Sequence, residues 1–258
     1  MEVNKINFDE LKIIAGDKGF SPVMIEKDYL VTYLLYLIKD VKDIYFKGGT
    51  ALNKIFLNHE RLSEDLDFSL TRDVKSVVED IKKKLQGTFF DKVTKDKDVE
   101  GFTRLIVHYK LFHENGTIFI DLNERANILC KPEEHEVKHF YNEFLPKYSV
   151  KTLAKEEMIA EKIAAAINRN RPRDHFDIYT MIKHKLSINM DLVREKCTQS
   201  GTEFNIIKMF SNAKKLKNRW DKDMSYLMPE PISFIEVMQT LSKYFKLKEE
   251  KEKLKNKS

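Results

Sequence analysis

The chain has 258 residues, 42 % of them apolar and including 17 Phe and 10 Tyr, which is material for one large domain or two modest ones, with disorder expected only at the end. Charged residues make up 34 %, but 46 basic against 41 acidic side chains leave a formal charge of only +5; that excludes a polycationic or polyanionic chain and suits phosphate-bearing partners without demanding them. Two cysteines, Cys130 and Cys197, exclude a disulfide framework and a cysteine metal site and point to a reduced, cytoplasmic setting; "MEVNKINFDE" is no signal peptide, and the longest apolar run, "YLVTYLLYLI", is about half of what a membrane span needs.

In chain order, "FDELKIIAG" reads as a short helix ended by Gly16. "SPVMIEKDYLVTYLLYLIKDV" follows as a buried helix, with Ser21 as N-cap and Pro22 at the first helical position. "IYFKGG" is a short strand stopped by two glycines, and "TALNKIFLN" has helical composition. "EDLDFSL" alternates as a second strand, and "DVKSVVEDIKKKLQG" is an amphipathic helix. "GFTRLIVHYKLF" and "GTIFIDLNE" form a hairpin, with Asn115-Gly116 as the turn signal. "PEEHEVKHF" is charged throughout, so His135 and His139, four residues apart, fall on a solvated face rather than on a metal. After about residue 150 the segments are helical: "AKEEMIAEKIAAAINRN", "RPRDHFDIYTMIKHK", "DLVREKCTQ", "EFNIIKMFSNAKKLKNRWDKDM" and "PISFIEVMQTLSKYFKLKEEKEKLK". The expected organisation is therefore α+β: residues 1–150 with a small mixed sheet flanked by helices, and residues 151–258 as a helical domain that completes the active-site cleft.

The chemistry concentrates in "FKGGTALNKIFLNHERLSEDLDFSL", Phe46 to Leu70. Asp65 and Asp67 are two apart, so a strand presents both carboxylates on one face. Two such carboxylates repel unless a cation sits between them, and an oxygen-only pair suits Mg²⁺, with Mn²⁺ as the alternative. Gly48 and Gly49 let the backbone approach a phosphate, Thr50 adds a hydroxyl, and Lys54 lies one turn further along the helix. Taken singly, the glycines read as a tight turn and the acids as a surface patch. The joint order of strand, Gly-Gly, helix, strand and D-x-D is what points to nucleotide chemistry.

"GGTAL" followed by "RLSEDLDF" resembles the nucleotidyltransferases of the polymerase-β-like superfamily, most closely the AbiEii/AbiGii toxin family that includes the MenT toxins. In that subgroup GGTAL-x-K and R-x-S-x-DLDF recur; Gly49 replaces the superfamily's Ser, and the spacer is longer than in many members. The resemblance brings in Arg61 and Ser63 as nucleotide-binding positions. It favours Asp121, at the end of "GTIFID", as a third carboxylate that binds metal or acts as general base. "EKIAAAINR" matches its K-x-x-A-x-x-x-R motif, so Lys162 and Arg169 fall on one helix face and would grip a triphosphate. In "RNRPRDHFDIYTM" N-capping alone could explain Asp177, but the resemblance carries it over, with Lys162, as a catalytic position that holds Lys162 or Arg169 in place, and brings in Asp174 beside it. "IEKDY", Ile25 to Tyr29, and Trp220 also match, the first without an evident chemical role.

What the resemblance implies is an Mg²⁺-dependent enzyme that moves a nucleoside monophosphate from an NTP to an acceptor hydroxyl. The acceptor would be tRNA or another RNA, and the chain the toxin of a toxin–antitoxin or phage-defence system with a cognate antitoxin. Two alternatives stand beside it: a non-catalytic relative that binds RNA or protein, and a small-molecule nucleotidyltransferase of the antibiotic-modifying type.

Overall fold

A computed structural model describes residues 6–90, 92–110, 112, 115–125 and 127–256. The chain divides into two compact units, residues 1–155 and 156–258.

The first unit is a mixed sheet with helices. α1 (Phe8–Lys18) opens with a capping box: Asn7 accepts from the Asp9 and Glu10 amides while Glu10 reaches back to the Asn7 amide. It runs through Gly16 and stops at Gly19, whose φ of 73° supplies the left-handed C-cap, so the expected stop at Gly16 is corrected. α2 (Pro22–Ile38) has Ser21 capping the Met24 amide and Pro22 in its first turn. Leu30, Val31, Leu34, Leu35 and Ile38 are all buried along it.

β1 (Ile44–Lys47) leads into α3 (Gly48–Ala51), which widens into a π-helical turn, Leu52–Phe56. β2 (Leu66–Leu70) and α4 (Val74–Leu85) follow, with Asp73 capping α4 at Ser76. β3 (Val93–Val99) is exposed along nearly its whole length; its charged sequence carries no apolar period, so no strand is expected there. β4 (Phe102–Lys110) and β5 (Asn115–Asn123) form the hairpin, but Asn115 pairs with Lys110 and Gly116 with Tyr109. Asn115-Gly116 is therefore strand rather than turn, and of residues 111–114 only 112 is among those described. Two further short strands, β6 (Glu133–Glu136) and β7 (Ser149–Thr152), pair with each other. His135 lies on β6, and His139 is buried, with its ring 6.2 Å from that of Tyr141 and 6.0 Å from that of Tyr148; the expected solvated face does not hold for His139.

The sheet order is β3-β4-β5-β2-β1-β7-β6. β2 sits in the middle, antiparallel to β1 and parallel to β5, and β1 is parallel to β7. Phe46, Leu66, Phe68, Leu70, Leu105, Val107, Ile118, Ile120 and Leu122 are buried and form the sheet's part of the core.

The second unit is helical: α5 (Lys155–Arg169, its first residue at the border of the first unit), α6 (Pro172–Lys183), α7 (Met190–Gln199), a 3₁₀ turn (Ile206–Phe210), α8 (Ala213–Met224), α9 (Phe234–Tyr244) and α10 (Leu247–Lys255). α6 packs against α8 and α9. Buried Lys196 pairs with Glu157 at 2.5 Å and with Glu161 at 3.1 Å, tying α7 to α5. The last two helices, expected as one, are broken at Lys246, whose φ is 47°. No helix among the described residues is long and apolar enough to cross a membrane.

Beneath the glycine turn lies a buried ionic knot. The Lys54 ammonium donates to Asp28 at 2.7 Å and to the Thr32 hydroxyl at 2.9 Å, and the Tyr141 hydroxyl donates to Asp28 at 3.0 Å. Both charges are almost fully withdrawn from solvent. Removing one partner strands the other, at a cost of about 3–5 kcal/mol, whereas an apolar pair of similar volume is close to neutral. Lys54→Met is expected to lower the melting temperature steeply, and Asp28→Leu/Lys54→Met to recover most of the loss. A double variant no more stable than the single one would contradict this account.

His59 and His139 flank the same knot. Burial and then the Lys54 charge lower the His59 imidazole from 6.5 to about 3. Between these values the unfolded chain binds more protons than the folded one, so His59 costs stability as the pH falls from about 6.5 toward 3. Melting curves at pH 7 and pH 4.5 are expected to show a smaller acid loss in His59→Gln than in the wild type; equal losses would exclude His59 as a source.

Candidate active site

The site begins with a steric fact. Gly48 has φ +79°, and a Cβ built on it would stand 2.2 Å from Oδ2 of Asp67. Only glycine accommodates both the backbone conformation and the carboxylate above it. The sequence suggests a glycine for phosphate approach; the structure shows that Gly48 is needed first to admit Asp67.

Asp67 is half-buried on the central strand, between buried Leu66 and Phe68. It lies directly across from Lys47 on β1 and from Asp121 on β5, and Asp121 lies across from Arg104 on β4. Residues opposed in register share a face of the sheet, so one row runs Arg104, Asp121, Asp67, Lys47, two cations enclosing two acids. Asp65 immediately precedes β2, two residues before Asp67 and therefore next to this row.

Thr50 is buried and its hydroxyl donates to the Asp65 carbonyl at 2.5 Å, which pins the helical turn to the start of the acidic strand. Asn53 donates to the Gly49 carbonyl at 3.0 Å and accepts from the Arg61 amide at 3.3 Å, joining the glycine turn to the spacer before β2. Arg61 is buried and donates to the Leu62 carbonyl, and Ser63 is buried beside it. Gly49, also buried, lies within α3. Lys54, expected to reach an anion at the start of this helix, instead turns into the buried knot with Asp28.

The three-carboxylate cluster expected from the sequence is not formed. Among the described residues no group of three or more acidic, His or Cys side chains is placed to hold a metal ion. Asp121 gives both oxygens to Arg104, at 2.6 and 2.7 Å, because β4 places a guanidinium directly opposite it. Asp65 and Asp67, two residues apart, are a hard, oxygen-only pair beside the glycine turn. That donor set fits a divalent cation of the Mg²⁺ kind, which takes one or two carboxylates and fills its other positions with water and phosphate.

Two cations here escape the motif analysis. Arg104 has its pKa raised by its hydrogen bonds to Asp121, and further by the charges of Asp121 and Asp65. Lys27, within "IEKDY", donates to the Thr117 carbonyl and lies over the Tyr109 ring at 5.2 Å. Burial lowers its pKa, and Glu64 and Asp65 pull it back upward. The alternation of "FTRLIVHYK", with Arg104 on the same face as Ile106, is the signal that marks the first. The second lies within "IEKDY", a segment that matches the family pattern but carries no evident chemical role in the sequence.

The second unit holds its own polar cluster. Lys162 is buried, with its ammonium 3.1 Å from Asp174 and 3.0 Å from Asp177. Arg169 donates from Nε and Nη2 to Asp174, both at 2.8 Å. Burial alone would raise the Asp174 carboxyl, but Lys162 and Arg169 hold it well below the usual carboxylate range. Asp177 lies in the middle of α6, with Arg171 at the N-cap, so the N-cap expectation for Asp177 is corrected.

A family model described as "Nucleotidyl transferase AbiEii toxin, Type IV TA system" matches residues 33–245. None of the curated proteins matches the sequence significantly. Among solved structures, MenT4, a nucleotidyltransferase toxin of Mycobacterium tuberculosis, superposes with a TM-score of 0.72 at 18 % identity, covering 93 % of this chain and 89 % of its own. JHP933 of Helicobacter pylori gives 0.61 at 19 % identity, covering 92 % and 98 %. A nucleotidyltransferase structure from H. pylori gives 0.63 at 19 % identity, covering 93 % and 99 %. At these identities the structural likenesses speak for the fold, while the family match spans most of the sequence. With the glycine turn and the acidic pair it identifies the chain as a member of the AbiEii family of nucleotidyltransferase toxins.

Proposed function

We propose that this nucleotidyltransferase moves a nucleoside monophosphate from an NTP to an acceptor hydroxyl on tRNA and releases pyrophosphate, as the cytoplasmic toxin of a toxin–antitoxin or phage-defence pair with a cognate antitoxin. The observation that carries the reading is Asp67 seated over Gly48, with Asp65 two residues before it. That arrangement supports a cation and a phosphate at one place. Asp65 and Asp67 would hold the divalent cation, Mg²⁺ with Mn²⁺ as the alternative. When bound, the cation neutralises the charge that develops on the reacting phosphate.

The rest of the work falls to the chain's own groups. Gly48 and Gly49 leave the backbone open to a phosphate, and Thr50 fixes the turn that presents it. Arg61 and Ser63 shape the approach to β2. Lys162 and Arg169, held in place by Asp174 and Asp177, keep the nucleotide-binding role that the family pattern gives them. Transfer of this kind is mainly positioning and charge stabilisation. The tRNA acceptor finds support in α8, which exposes Lys214, Lys215, Lys217 and Lys222, while Arg219 pairs with Asp223; exposed lysines of this kind bind polyanions in a salt-dependent way.

Each of the four labelled NTPs is incubated with total tRNA and Mg²⁺, with and without a chelator. The wild type is expected to label RNA with a preferred nucleotide and to lose this with chelator. Asp67→Asn should reduce the rate about 10²–10³-fold or more with an unchanged melting temperature. Wild-type labelling by Asp67→Asn would reject the site, and labelling of a small acceptor with RNA untouched would reject the tRNA reading.

A further inference from the structure

The Arg104–Asp121 pair has no role in the chemistry above, yet it stands in the row that contains Asp67. Asp121 uses both carboxylate oxygens on one guanidinium, Nε to Oδ1 at 2.6 Å and Nη2 to Oδ2 at 2.7 Å. The same guanidinium lies over the Phe119 ring, 5.0 Å from its centroid. Phe119 is two residues before Asp121 on β5 and so stands on the same face. Two contacts of different kinds therefore fix one planar cation in one orientation.

A side chain fixed in this way is poorly explained as a simple counter-ion. An exposed pair contributes little to stability, and Arg104 is 30 % exposed against 17 % for Asp121. The fork-to-fork pairing uses two of the five N–H donors of the guanidinium. The other donors belong to a half-exposed group on the face that carries Asp67, close enough to Asp65 to respond to its charge. A cation held by an acidic pair fills its other positions with water and substrate phosphate, which brings phosphate oxygens to this face. A rigid, partly solvated guanidinium is well suited to those oxygens.

We propose that Arg104 is a phosphate-binding residue of the nucleotide site and that Asp121 is its positioning residue. The carboxylates then divide two and one: Asp65 and Asp67 serve the cation, and Asp121 orients the arginine. The inference rests on the nucleotidyltransferase reading but is tested separately from it.

The probes are inorganic pyrophosphate and an NTP, titrated calorimetrically with Mg²⁺ and without acceptor. The proteins are the full-length wild type, Arg104→Gln, Arg104→Lys, Asp121→Asn and the Arg104→Gln/Asp121→Asn double variant. Arg104→Gln is expected to weaken pyrophosphate about tenfold or more, with Arg104→Lys recovering part of the loss. Asp121→Asn should weaken it comparably, and the double variant no further than Arg104→Gln alone, since both act through one guanidinium. KM for the nucleotide should rise more than kcat falls. Pyrophosphate binding by Arg104→Gln at wild-type affinity overturns the proposal. So does a loss of divalent-cation binding in Asp121→Asn that Arg104→Gln does not share, which would make Asp121 a metal ligand, and so does a wild type that binds no polyphosphate. If the wild type labels RNA while Arg104→Gln binds normally, the proposal fails and the transferase reading stands. If Arg104-dependent pyrophosphate binding occurs without transfer to any acceptor, the transferase reading fails and the proposal stands.

Discussion

The acidic strand can stand where it does because residue 48 has no side chain. A Cβ there would meet the Asp67 carboxylate at 2.2 Å, and the backbone at that point has a φ of +79°. Together the positive φ and the close carboxylate favour glycine strongly, since a side chain there would be strained and would displace Asp67. The chain must leave β1, reverse through Gly48 and start a helix within hydrogen-bond reach of Asp65, the residue just before β2. The Thr50 hydroxyl on the Asp65 carbonyl closes this loop of dependence. The glycine turn and the acidic pair are thus one local structure, although 16 residues separate Gly48 from Asp65 in the sequence.

This local structure rests on buried charge. Lys54 leaves the helical turn toward α2, where Asp28 and Thr32 take up its ammonium, and the Tyr141 hydroxyl donates to the same Asp28 carboxylate. A pair withdrawn from water contributes little net stability, but it is intolerant of displacement, because each charge depends on the other. It therefore fixes the orientation of the turn against α2 more than it strengthens the fold. The "IEKDY" segment acquires its physical meaning here. Asp28 holds Lys54, Glu26 accepts from the Phe112 amide at 2.8 Å, and Lys27 reaches the Thr117 carbonyl. Three consecutive ionisable residues are each assigned to a different tertiary contact.

Much of this was legible in the sequence wherever a local rule had a single outcome. Ser21-Pro22 opens a helix, the double glycine stops a strand, and "EDLDFSL" holds a strand, although that strand covers only Leu66–Leu70 and buries Ser69 as well. The features that were missed depend on distant partners. β3 is a charged edge strand with no apolar period to reveal it, and β6 and β7 are too short to show one. Asn115-Gly116 carries a strong turn signal that the register with Tyr109 and Lys110 overrides. Lys54 has the spacing of a phosphate ligand, and only the fold brings Asp28 to it across 26 residues. Asp121 was legible as a strand-end carboxylate; that Arg104 would hold both its oxygens follows from the β4–β5 register, which motif spacing does not encode. In the second unit, Lys162, Arg169 and Asp177 were legible as a set, while the part of Asp174, which takes both Lys162 and Arg169, was not.

The most direct test of the central claim is a Mn²⁺ titration followed by electron paramagnetic resonance on the wild type and on Gly48→Ala. If the approach of Asp67 to Gly48 organises the cation site, the wild type shows saturable binding. The variant, with its circular dichroism unchanged, should then bind at least about tenfold more weakly, as expected when the support of a ligand is disturbed. Equal Mn²⁺ affinity in the two proteins would contradict the account.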